Sequence, residues 1–193
     1  MDNSQSTLNA FAENDNFGFL KNVEGWGSHR PLLYLALELT RGCTDSVVEY
    51  GSGLSSTSFL REYCEANQRP FISYESVKEW AERCNAIYIP NWDDSDAFDS
   101  KFSVAFVDLA PGGYRKNAVE KLKGKGHIII IHDTEFFGAG DYKLEPILST
   151  FKYRLNYNLT QGGAGCSIVS DDIDVTVFAN QKLGEYLLEL LPY

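Results

Sequence analysis

The chain has 193 residues, with 44% hydrophobic and 23% charged side chains, and 27 acidic against 17 basic groups give a formal net charge of −10. That is one globular domain with a full core; a disordered chain, a collagen and a mini-protein are excluded. So negative a surface repels phosphate backbones and argues against a nucleic-acid partner, and the longest apolar runs, such as 127–131, are too short to span a bilayer.

Residues 1–24 are rich in Asn, Asp and Ser with scattered Phe and Leu, and predict a segment that is mobile or covers a site. Residues 25–193 predict one domain. The start of the chain has neither a basic n-region nor an apolar stretch, which points away from a secretory signal and towards a cytoplasmic protein. Residues 25–31 read as a loop, with Pro31 opening a helix through Leu32, Leu33, Leu35, Ala36, Leu37 and Leu39 that ends near Gly42. Strand and helix signals then alternate. Strands are predicted at 46–50, 70–75, 86–89, 102–109 and 127–131, and helices at 55–66, 77–85, 117–123 and 144–150. Segments 153–159 and 166–170 flank Gln161-Gly162-Gly163-Ala164-Gly165 and predict a hairpin. Residues 175–179 predict a further strand, and 183–191 a terminal helix. The order implies an α/β fold: a Rossmann-like three-layer α/β/α sandwich, its seven-stranded sheet mostly parallel with an antiparallel C-terminal hairpin. The four cysteines include no Cys-x-x-Cys pair, so buried thiols are expected and structural zinc is not.

Three strand ends carry chemistry. The first runs Glu49-Tyr50-Gly51-Ser52-Gly53-Leu54-Ser55-Ser56-Thr57. Its glycines permit positive φ and close approach of a ligand, and the helix start offers unpaired N–H groups. A Gly-x-Gly alone also serves as a plain tight turn. Glu49 at the strand end would put a carboxylate into the ligand crevice, which suits a cationic or amine-bearing ligand better than a pyrophosphate. The second is Glu75, 26 residues after Glu49. It can accept bonds from both hydroxyls of a ribose, or stand as a helix N-terminal charge. The third pairs Asp108 with His132-Asp133, two aspartates at the ends of adjacent strands. They could hold one divalent ion, or act as base and orienter. The plainer alternative has Asp133 capping the next loop with His132 packed beside it.

Glu49 to Gly53, Glu75 and Asp108 together resemble, in order and spacing, class I S-adenosylmethionine-dependent methyltransferases. From Phe106 through Asp108, Gly126 and His132-Asp133-Thr134 the chain is similar to small O-methyltransferases of the catechol and sugar types, over roughly residues 28–170. The resemblance implies that Gly51, Ser52 and Gly53 line the methionine part of the cofactor, with Ser55, Ser56 or Thr57 at its carboxylate. Glu75, with Ser76 beside it, would hold the ribose. Trp92 and Asp93 would supply a stacking ring and an acid for adenine. Asp108 and Asp133 fall where metal-dependent members place two ligands for Mg²⁺ or Mn²⁺. The chain departs from the catechol pattern at Thr134, where Asn is usual, and at Pro111, where Lys is usual. It also lacks the Asp-Gly-x-His start of many sugar-type relatives. His132 or Asp133 is the first choice of base, with Asp108 alongside; His29 is another candidate, and His29 and Tyr114 are placed on the acceptor side.

A sulfonium donor needs an aligned lone pair, and a hydroxyl acceptor needs its proton removed. Two carboxylates and a histidine therefore imply O-methylation of a small molecule, and the polar loop from Gly112 to Lys116, with no large inserted substrate domain, favours a sugar or glycan unit. No Asn-Pro-Pro-Tyr type motif, usual for amine acceptors, follows the fourth strand. Two other readings stand beside this one. A nicotinamide-dependent Rossmann oxidoreductase would lack its third glycine, since Ser56 holds that place. A non-catalytic, cofactor-binding partner subunit would bind without turnover. Neither membrane nor nucleic acid is expected as a partner, and the oligomeric state is left open, a homodimer included.

Overall fold

The computed structural model describes residues 29–134, 140–157 and 165–178. Its strands are Ser46–Tyr50 (β1), Phe71–Glu75 (β2), Ile87–Tyr88 (β3), Phe102–Val107 (β4), Gly126–His132 (β5), Tyr153–Tyr157 (β6) and Cys166–Ser170 (β7). They form one sheet in the order β3-β2-β1-β4-β5-β7-β6. The first five are mutually parallel, β7 runs antiparallel to β5, and β6 antiparallel to β7. The helices are Arg30–Leu39 (α1), Ser56–Ala66 (α2), Lys78–Cys84 (α3), Arg115–Leu122 (α4) and Glu145–Leu148 (α5). The expected α/β sandwich with its antiparallel ending is the observed fold.

Both faces of the central strands are covered, which is why those strands read as unbroken apolar runs. Val104 and Phe106 of β4, with Ile128 and Ile130 of β5, pack under α1 and α2 among Leu33, Leu35 and Leu60. Ala105, Val107, Ile129 and Ile131 face the other way, towards Phe98, Val119 and Leu122. Helix α1 begins with Pro31 in its first turn and is sealed at its end by Thr40, whose Oγ1 donates to Ala36 O at 2.8 Å. Buried Arg69 ties that end to the sheet, donating to Leu37 O, Thr40 Oγ1 and Ser103 Oγ. At the other end of α1, Arg30 donates twice to Ser55 O, at 3.2 and 3.0 Å, and so locks the helix to the start of α2.

Three boundaries differ from expectation, each for a local reason. Strand β3 has two residues because Asn85 adopts a left-handed conformation and Ala86 N–H bonds back to Ala81 O, ending α3. Helix α4 starts at Arg115, straight after a 3₁₀ turn over Gly112–Tyr114. The further strand predicted at 175–179 is incorrect: Val175–Phe178 is a 3₁₀ turn. Ser170 Oγ accepts from the N–H groups of Asp172 and Ile173, and Asp174 Oδ1 from that of Thr176, so local side-chain bonds wind the backbone before it can extend. Val175 still enters the core, which is what its apolar character signalled. The N-terminal segment, the hairpin tip and the terminal helix lie outside the described residues. Among the described residues no helix is long and apolar enough to cross a membrane.

Candidate active site

Strand β1 lies between β2 and β4, at the point where the strand order reverses, and ligands of open α/β sheets bind beyond the carboxyl ends of such strands. The chain leaves β1 through Gly51, whose φ of 93° favours glycine. A Cβ at Gly51 would stand 2.5 Å from the carbonyl carbon and oxygen of Asp108 and from Leu109 Cα, so the loop presses on the end of β4. Each loop N–H has a partner within the protein. Gly51 donates to Tyr74 O at 2.8 Å, Ser52 to Glu75 Oε2 at 2.8 Å, and Gly53 to Thr57 Oγ1 at 2.9 Å. Glu75 Oε1 accepts from the N–H groups of Ser76 and Val77, at 2.7 and 2.8 Å. The glycines and the second-strand acid are thus brought together, as the sequence implied.

Glu49 is not in the crevice. Both faces of β1 are buried, and Glu49 is 0% exposed inside the sheet. Its Oε2 accepts from Thr57 Oγ1 at 2.7 Å and Ser73 Oγ at 2.6 Å. The hydroxyls of Ser56 and Thr57, assigned to a cofactor carboxylate by resemblance, turn inward to Glu49. Ser55 lends its carbonyl to Arg30. Burial raises the Glu49 carboxyl to about 7, against the pull of its hydroxyl partners, and the Asp108 charge adds to the rise. The folded state therefore keeps this proton while the unfolded chain releases it above 4.5. Stability should fall as pH rises from about 4.5 to 7, by roughly 2–4 kcal/mol for this group alone. In urea unfolding at pH 5 and pH 8, Glu49→Gln should lose that part of the difference; an unchanged difference would reject the assignment.

Trp92 is packing, not an open stacking surface: it is 3% exposed, its ring lies against Tyr50 and Phe98, and its Nε1 donates to Ala110 O at 3.0 Å. Asp93 is exposed and pairs with Lys121, and both bond the Tyr114 hydroxyl. His29, by contrast, is drawn in. Its ring centroid lies 5.0 Å from that of Phe106 and 5.2 Å, edge-on, from that of His132. Burial, then the charges of His132 and Arg30, lower its imidazole to about 3, so it is neutral.

Asp108, His132 and Asp133 do converge. The His132 Nδ1 stands 3.1 Å from Asp108 Oδ1 and 3.2 Å from Asp133 Oδ1. Since carboxylates only accept, Nδ1 carries the hydrogen. In the neutral ring that leaves Nε2 as the lone-pair nitrogen, and it is buried with no hydrogen-bond partner among the described residues. Burial pushes the His132 pKa down, but the bond to Asp108 and the charges of both aspartates outweigh it, and the net shift is upward. Asp133 reaches this position through a left-handed backbone, φ 54°. The residue missed by sequence reasoning is Arg115. Its Nη2 donates to Asp108 Oδ1 at 2.7 Å, and its Nη1 to Asp133 Oδ2 at 2.6 Å and His132 O at 2.8 Å. The sequence carried no signal for it, since the helix was expected to begin only at residue 117; the structure opens it with this basic residue, where the dipole disfavours it.

The donor set does not fit a metal ion. The three candidate ligand atoms lie within 4.8 Å of one another. The guanidinium, however, already bonds an oxygen of each carboxylate, and Thr134 offers no third ligand because its side chain is buried and turned to Ser167, with the two hydroxyls 2.8 Å apart.

No family model and no curated relative matches the sequence. Solved structures match the fold. A SAM-dependent O-methyltransferase from Thermotoga maritima aligns at 13% identity over 73% of this chain and 64% of its own, with a TM-score of 0.55. An O-methyltransferase from Bacillus cereus, in complex with SAH, aligns at 14% identity over 88% and 91%, TM-score 0.51. The human METTL16 catalytic domain, in complex with MAT2A 3′UTR hairpin 1, aligns at 11% identity over 88% and 79%, TM-score 0.53. The fold is therefore the Rossmann-like fold of these methyltransferases.

Proposed function

We propose that this chain is an S-adenosylmethionine-dependent methyltransferase acting on a hydroxyl oxygen of a small molecule, with a sugar unit as the expected acceptor. His132 carries the reading: a buried imidazole with Nδ1–H held by two carboxylates and Nε2 without a partner among the described residues is a base awaiting a proton. The cofactor supplies, when bound, a methyl group on a positively charged sulfur. Glu75, while still accepting from Ser52 N–H, would hold the ribose hydroxyls through its remaining lone pairs. The acceptor proton goes to His132 Nε2, while Asp108 and Asp133 stabilise the imidazolium. Neutral His29 walls the acceptor side without adding charge.

A dinucleotide is less well served. Its pyrophosphate would need free backbone N–H groups, yet those of Ser52 and Gly53 are bonded and a carboxylate lies beside them. The net charge of −10 supports a neutral or cationic acceptor over nucleic acid. Calorimetry should show S-adenosylmethionine binding and no NAD binding. Glu75→Gln should weaken the former at least tenfold, as loss of a charge-assisted bond of about 1.5–3 kcal/mol requires. A screen of monosaccharides, nucleotide sugars, catechols and amines for S-adenosylhomocysteine release tests the acceptor. Turnover on amines alone would overturn O-methylation, and binding without any turnover would leave a partner subunit.

A further inference from the structure

We propose that Arg115 stands where a divalent cation would otherwise be needed. Its guanidinium is the fixed positive centre on which Asp108, Asp133 and the His132 backbone are assembled, so this cluster excludes metal. The inference rests on the reading above only in taking that cluster as the reacting end of the site.

Asp108 and Asp133 end neighbouring parallel strands, and their inward oxygens need a cation between them. Arg115 supplies it from α4 with bonds of 2.7 and 2.6 Å, while Nη1 also reaches His132 O and Nε reaches Leu109 O. The side chain is 7% exposed and lies 5.0 Å from the Tyr142 ring centroid. A planar, permanently charged fork of this kind fixes two carboxylates in defined rotamers, which a single point charge does not. With the aspartates so held, both present oxygens to His132 Nδ1 and the ring keeps Nε2 turned away. Arg115 is thus a positioning residue. A divalent ion added beside it would meet a like charge at contact distance and an oxygen of each carboxylate already bonded to Arg115. Thr134, turned to Ser167, offers it nothing.

The prediction reverses the usual direction of a loss-of-function variant: removing Arg115 should create a metal site. Full-length wild type, Arg115→Met and Arg115→Lys would be titrated with Mn²⁺ up to about 1 mM, the weak end of protein sites for hard cations. Paramagnetic resonance of free Mn²⁺ and the melting temperature would both be followed. Wild type and Arg115→Lys should leave Mn²⁺ free and show no shift. Arg115→Met should take up one ion and melt higher with it, and adding Asp108→Asn should abolish the uptake. Uptake by wild type that Asp108→Asn removes would overturn the proposal, as would a folded Arg115→Met that binds none. If Arg115→Met does not fold, Arg115→Lys decides: exclusion of Mn²⁺ supports the proposal and uptake rejects it. The readout uses neither S-adenosylmethionine nor acceptor. A chain that fails to bind the cofactor would defeat the proposed function and leave this result standing.

Discussion

Replacing His132 with alanine is expected to lower methyl transfer by roughly 10²–10⁴-fold, the usual contribution of a positioned general base. S-adenosylmethionine affinity should be unchanged, because the imidazole faces Phe106 and His29 and takes no part in the glycine loop. The pH dependence has a defined sign. His132 must be neutral to accept a proton, and the aspartates raise its pKa above 6.5. Activity in the wild type should therefore climb with pH through a value above 6.5 and level off. Asp133→Asn keeps a residue tolerant of the left-handed backbone but removes one carboxylate charge, so it should move that climb to lower pH and reduce its height. Rates of S-adenosylhomocysteine release across pH, with calorimetry of the cofactor, check both. A His132→Ala enzyme working at the wild-type rate would dismiss the imidazole as base.

Gly51→Ala should be strongly destabilising. The added carbon would sit 2.5 Å from backbone atoms of both Asp108 and Leu109, which cannot rotate aside, at a φ of 93°. Backbone strain and overpacking each cost about 1–3 kcal/mol, giving roughly 2–6 kcal/mol together against a domain stability of about 5–15. Gly42→Ala is the control. Nothing lies within 4 Å of its added carbon, so it should change stability little. The shift in urea midpoint separates them; equal midpoints would mean that the β1 loop can move off β4.

The sheet was legible because its strands are buried on both faces. Val104 to Val107 and Ile128 to Ile131 admit no other reading between turn signals. The same burial hid the meaning of Glu49, since an acid one residue from a strand end looks like a ligand contact until its bonds from Thr57 and Ser73 are seen to hold it inside the sheet. Asp108, His132 and Asp133 were legible as strand-end residues on neighbouring strands. Arg115 was not, because what defines it is contact with residues 7 and 18 positions away, through a turn whose path the sequence does not disclose. Trp92 illustrates a different difficulty. A lone aromatic after a strand serves equally as a platform or as packing, and only its indole bond to Ala110 O and its neighbours Tyr50 and Phe98 decide.

The three consecutive donors of the glycine loop are bonded to Tyr74, Glu75 and Thr57 in the protein alone. A loop held in this way has little conformational entropy left to surrender. If the proposed cofactor binds here, its capture waits on no ordering step, and its pace is set by encounter. On that reading, what holds the ligand once it is in place is the set of bonds its hydroxyls would add at Glu75. A ligand without matching hydroxyls would enter as fast as one with them and leave sooner, so the proposed site would discriminate by residence time.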